Sequence, residues 1–160
     1  MHPTRNDLPA ATREEVVALL NQNLADSIDL GLQAKQAHWN VKGSNFIALH
    51  ELFDKVAEVA EAGVDLLAER ITALGGTANG TLQTVAKRTR LSAYPPEIVQ
   101  WREHVTKLSG AIAAVGKNVR AAIDESDKLG DKDSADLFTE ISRDLDKHLW
   151  FVESHLQGEG

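Results

Sequence analysis

The sequence predicts an all-α protein: a four-helix bundle with one long crossover, which carries a short helix between the second and third long helices. Three observations lead there. Apolar residues recur at helical spacing through four long stretches. Only 4 of the 160 residues are proline, so little interrupts those stretches. Residues 77–94, between the second and third stretches, are too many for a turn joining antiparallel neighbours.

Taken in order, residues 1–11 are expected as a short mobile tail. Thr12-Arg13-Glu14-Glu15 has the capping-box pattern, a threonine followed three residues later by glutamate. A first helix should start there and run to about Asn40, its apolar positions including Val16, Leu20, Leu24, Ile28 and Leu32. Val41-Lys42-Gly43 reads as a tight turn, and Ser44 is placed to cap a second helix reaching about Leu74. Gly75-Gly76 stops that helix. Residues 81–88 suit a short helix within the crossover. Tyr94-Pro95-Pro96-Glu97 opens the third long helix, with proline where a first turn tolerates it. Residues 126–132 are a polar break, and a fourth helix runs from about Asp133 to Leu156. The bundle therefore spans 12–156, and 157–160 is a short tail. Four long helices with one crossover have ferritin-like connectivity.

Composition narrows the function. No apolar run approaches the roughly 20 residues that span a bilayer, and MHPTRNDLPAAT lacks the apolar core of a signal peptide. No membrane partner is expected, and the cytoplasm is the expected location. With no cysteine, disulfides and thiolate metal sites are excluded, and a metal site must use His, Asp and Glu. Lack of thiols suits a protein that meets peroxide, though drift explains it equally well. A net charge of −7 disfavours nucleic acid unless a local basic patch exists. In a symmetric assembly the same charge would draw cations to acidic pores or an acidic interior; otherwise it is a solvated, solubilising surface.

Five candidate ligands stand out: His38, His50, Asp54, Asp65 and Glu69. His50 and Asp54 are four residues apart, as are Asp65 and Glu69, so each pair shares a helix face. The pairs are separated along one helix by about 22 Å, at about 1.5 Å per residue. They cannot hold one ion within a straight helix. If that helix lies antiparallel to its own copy, the His/Asp pair of one chain meets the Asp/Glu pair of the other. Glu-x-x-His, the signature of di-iron sites within one chain, is absent. Each residue alone also reads as ordinary surface or packing; the set together points to a metal site between subunits.

KQAHWNVKGSNFIALHELFD, VDLLAERITALGG and SRDLDKHLWFVESH resemble the Dps family, the DNA-protection-during-starvation mini-ferritins, over about residues 7–156. The His-Trp-x-x-x-Gly and His-Glu-x-x-Asp motifs carry the resemblance together with Asp-x-x-x-Glu. It implies a hollow homododecamer with paired ferroxidase sites at each two-fold interface. His38, His50 and Asp54 would come from one subunit, Asp65 and Glu69 from its mate. Asp65, Glu69 and His38 match the tighter iron position; His50 and Asp54 match a looser one. The implied function is oxidation of Fe(II), preferably by hydrogen peroxide, and storage of ferric mineral, which protects DNA. The mixed nitrogen and oxygen ligands suit iron and also admit Zn(II) or Mn(II).

The resemblance also gives Trp39 a role as electron donor beside the iron, where the plainer reading is interface packing. Asp131, Asp133 and Asp136 resemble the family's acidic three-fold pore, although Asp133 is also placed to cap a helix. For DNA, the tail offers Arg5 against Asp7, and Lys87, Arg88 and Arg90 form a small basic cluster. Binding is expected to be weak or conditional. The competing reading is a nucleoid-compacting structural protein with little iron traffic; an intact ligand set and a tail poor in bases disfavour it.

Overall fold

The computed structural model describes residues 1–157 and contains five helices: α1 (Ala10–Asn40), α2 (Phe46–Ala73), α3 (Leu82–Arg88), α4 (Trp101–Lys128) and α5 (Lys132–Glu153). The tail expected over 157–160 lies outside the described residues, apart from Gln157. The fold is the expected all-α bundle with one crossover. Helices α1 and α2 pair antiparallel across a short turn, as do α4 and α5. Their inner faces meet in one core that includes Leu20, Leu24, Phe53, Leu67, Leu108, Ile112, Phe138 and Val152.

The crossover is bound to α1 along its length. Asn21 donates to the Thr77 carbonyl and accepts from the Asn79 amide. Further along, Gln22 donates to Arg88 O, Thr89 donates to the Asp29 carboxylate, and Gln33 donates to Ser92 O. Asp26 ties down Arg90. These contacts advance together along both segments, so the crossover runs parallel to α1 and returns the chain to the α1–α2 turn. There Lys42 and Gln100 make an isolated parallel bridge. This explains why a bundle helix buries Asn21, Asn23, Asp26 and Gln33: they supply hydrogen bonds that a long loop cannot make with itself.

Several boundaries differ from expectation. Helix α1 begins at Ala10, inside the expected tail, with no side-chain cap from Thr12. The tail itself is tied down: the His2 amide donates to Gly75 O, and Arg13 donates to Leu8 O and Leu74 O. Helix α2 begins at Phe46 after Asn45, not Ser44. Helix α4 begins at Trp101 rather than near Tyr94, because Pro96 biases Pro95 toward extended backbone and the Lys42–Gln100 bridge holds the approach extended. Gly75 stops α2 as expected: at φ +84° it donates to Thr72 O, while Gly76 donates to Ile71 O. Gly130 ends α4 in the same way, with φ +83°.

Candidate metal centre

The last turn of α1 and the first turns of α2 face each other across a short connection. The His38 and His50 rings stack there, with centroids 3.7 Å apart and planes 21° apart. Each ring also bonds the other residue's backbone: His38 Nδ1 lies 2.6 Å from His50 O, and His50 Nδ1 lies 2.8 Å from His38 O. A carbonyl only accepts, so both Nδ1 atoms must carry the hydrogen. That leaves Nε2 as the ring atom of each histidine free to face a metal, the arrangement in which a ligating histidine donates its other N–H to a carbonyl. Phe46 packs beside His50 at 5.1 Å and helps fix its ring.

One turn away the two helices meet again. Lys35 of α1 pairs with Asp54 of α2. That hydrogen bond holds the Asp54 carboxyl below its ordinary value of 3.8, against a smaller opposing effect of burial. Asp65 and Glu69 stand further along α2 on an exposed strip, and neither makes an ion pair among the described residues. Glu69 precedes Arg70, whose guanidinium is anchored to Asp131 at 2.7 Å and to Ser134 Oγ at 3.0 Å. The turn bearing Glu69 is thereby fastened to the start of α5.

The structure therefore stacks His38 on His50, places Asp54 one turn further along α2 against Lys35, and sets Asp65 and Glu69 apart from them. Among the described residues, no three His, Asp or Glu side chains of one chain gather where a single ion could sit. Trp39 is 65% exposed beside this cluster, outside the chain's own core. Trp150 is exposed as well, whereas Trp101 is buried under the Arg102 guanidinium.

The acidic segment divides. Asp131, not Asp133, caps α5: its carboxylate accepts from Ser134 N at 3.1 Å and Ser134 Oγ at 2.6 Å. With Arg70 also bound and only 2% exposure, Asp131 is occupied within its own chain. Asp133 and Asp136 are exposed. In the basic cluster all three residues are exposed, but Arg90 is paired with Asp26, which leaves Lys87 and Arg88 as the cations with no such partner among the described residues.

Residues 17–159 match the Ferritin family model, a ferritin-like domain. A DNA protection during starvation protein of Agrobacterium fabrum is 49% identical over 156 residues, covering 98% of this chain and 96% of that one. The chain belongs to the Dps family. Among solved structures, Mycobacterium smegmatis Dps in a tetragonal form superposes with TM-score 0.93 at 33% identity, covering 99% of this chain and 96% of that one. Dps from Microbacterium arborescens in the high iron form gives 0.87 at 37% identity, covering 97% and 99%. As a family, ferritin-like Dps proteins generally store and oxidise iron.

Two features of this Dps chain were not read from its sequence. Lys35 stands three residues before His38, within the quoted motif, but a lysine on a helix gives no sign of which acid it reaches. Nor does any sequence pattern announce that the two histidines lock each other through main-chain carbonyls.

Proposed function

We infer that this chain is the subunit of a cytoplasmic ferroxidase and iron-storage cage whose oxidation sites are shared between two copies. One observation carries the reading: a histidine-rich half-site and a carboxylate half-site on the same face of the bundle, each incomplete, about 22 Å apart along α2. Only a second copy brings them together. A two-fold axis relating the copies would pass midway, near Ala60. A mostly apolar groove lies there, its lining including Ile28, Leu32 and Lys35 of α1 and Ala57, Glu61 and Val64 of α2. Its position and its exposed Leu32 support an antiparallel pairing.

Iron is the substrate. Asp65 and Glu69 supply hard anionic oxygens, and His38, its Nδ1 held by the His50 carbonyl, supplies its Nε2. His50 and Asp54 serve a neighbouring, weaker position. A hydrogen peroxide molecule that takes one electron from each of two Fe(II) ions breaks its O–O bond and yields two hydroxide equivalents. Both reactants of the damaging one-electron chemistry are then consumed together. The same ligands accept Zn(II) or Mn(II) as competitors. We take hydrogen peroxide as the preferred oxidant, a dodecamer as the closed form, ferric mineral as the stored product, and protection of DNA as the consequence. Exposed Asp133 and Asp136 are the acids left to line an iron inlet, and Trp39 remains placed beside the site.

Complementation tests the shared site. One variant carries His38→Ala and His50→Ala; the other carries Asp65→Ala and Glu69→Ala. Each alone should lose at least about tenfold in peroxide-driven Fe(II) oxidation, since losing even a supporting residue of a metal site typically costs that much. Refolded together at random, half of the pairs are mixed and each restores one of its two sites, so about a quarter of wild-type activity should return. No recovery in well-assembled mixtures would mean that the sites are not shared.

A further inference from the structure

The geometry points to Lys35 as the residue that makes the two metal positions unequal, by occupying Asp54 until a cation displaces it. The inference deepens the proposed shared site and rests on it. Lys35 and Asp54 form an ion pair between α1 and α2, one turn from the stacked histidines. Their side chains are 39% and 37% exposed, so the pair is neither sealed in nor fully solvated. Asp65 and Glu69, by contrast, have no cationic partner among the described residues. A metal ion approaching those acids across the proposed interface meets oxygens bonded to no cation of their own chain, while the mate's Lys35 is already held by its own Asp54. One approaching Asp54 must first remove an ammonium, then tolerate that positive charge nearby.

Lysine suits such a role. Its ammonium is a strongly hydrated point charge on a flexible stem, and it swings away without dismantling the helix. The result is ordered loading, with the second position filling only once the incoming cation outcompetes the lysine. Lys35 acts through Asp54 and touches no reacting atom, so it is a positioning residue.

Calorimetric titration of redox-silent Zn(II) into the full-length, assembled protein tests this, with assembly of every variant checked by sedimentation. Wild type should bind in a tight and a weak phase, and Asp65→Ala with Glu69→Ala should abolish the tight one. Lys35→Met should tighten the weak phase by at least about two- to fivefold, the equivalent of a partly exposed ion pair. Lys35→Arg, which keeps the charge, should stay near wild type. If the Met variant assembles poorly, Lys35→Gln makes the same comparison. An unchanged or weakened second phase in Lys35→Met, with the tight phase still dependent on Asp65 and Glu69, overturns the lysine's role and leaves the shared site standing. Zn(II) binding indifferent to Asp65 and Glu69 overturns the shared site, and the lysine's role with it.

Discussion

Asp26 is a carboxylate fully removed from water, and its partners show how the crossover is held. Arg90 donates to it through its backbone amide at 2.8 Å, Nε at 2.8 Å and Nη2 at 2.5 Å, and Asn118 of α4 adds a bond at 3.3 Å. One acid thus joins α1, the crossover and α4. Such an anion is tolerable only with these donors in place. Arg90→Ala removes the guanidinium and strands the charge. It should cost near the low end of about 3–5 kcal/mol, because the backbone amide and Asn118 remain; chemical denaturation measures it, and a loss below about 0.5 kcal/mol would mean that the clamp does not hold the crossover. In the sequence Arg90 read only as part of a basic cluster with Lys87 and Arg88. Burial of the acid it neutralises depends on which helix the crossover lies against, and no local pattern around residue 90 encodes that. Four of the five ligand candidates could be proposed for the opposite reason: the four-residue spacing of His50 with Asp54 and of Asp65 with Glu69 is itself geometry, whereas His38 has no such partner in the sequence.

At the scale of elements, helices and crossover were readable because periodicity and glycine stops are local signals. Detail failed where local signals compete with tertiary contacts. Leu32 belongs to the apolar series that marks α1 in the sequence but is 52% exposed. Steps of four residues drift about 40° each on a helix of 3.6 residues per turn. The chain returns to the core instead through Leu30, Ala34 and Ala37, leaving Ile28 and Leu32 to the groove. The start of α4 shows the same competition. Its first turns bury His104, whose Nδ1 lies 2.7 Å from the Tyr94 hydroxyl of the crossover, while Nε2 makes no hydrogen bond of good geometry. Burial pushes the His104 pKa below its ordinary 6.5, only partly offset by the nearby carbonyls of Ile98 and Asn40. The unfolded chain then takes up a proton near pH 6.5 that the folded chain refuses. This contribution to stability is complete above that pH and is lost as pH falls through the folded-state pKa. The wild-type melting temperature should drop more steeply than that of His104→Gln as pH goes from about 7 to about 5. Parallel pH profiles for the two proteins would show that His104 does not link folding to protons.

The whole molecule exposes apolar side chains in places a lone chain cannot cover: Leu32 and Trp39 along α1, Ile47 beside the α1–α2 turn, and Trp150 near the end of α5. The proposed cage, with more than one kind of contact between copies, has a place for exposed side chains in separate regions that a simple dimer has not. Sedimentation should therefore find a species far larger than a dimer; a monomer with full ferroxidase activity would contradict both the cage and the shared site. DNA is the remaining candidate partner at this scale. The net charge of −7 multiplies in any assembly. The N-terminal segment is pinned by the His2–Gly75 and Arg13–Leu8 bonds, and Arg90, though exposed, is paired with Asp26. Lys87 and Arg88 remain at the crossover surface, repeated once per subunit. A few phosphate contacts repeated over many copies give an association that depends on multivalency and falls steeply with salt. In a gel shift at neutral pH, plasmid should be retained only at low salt, and Lys87→Ala with Arg88→Ala should abolish that retention. Tight binding near physiological salt that survives the double substitution would place a basic surface elsewhere in the assembly and revive the nucleoid-compacting reading.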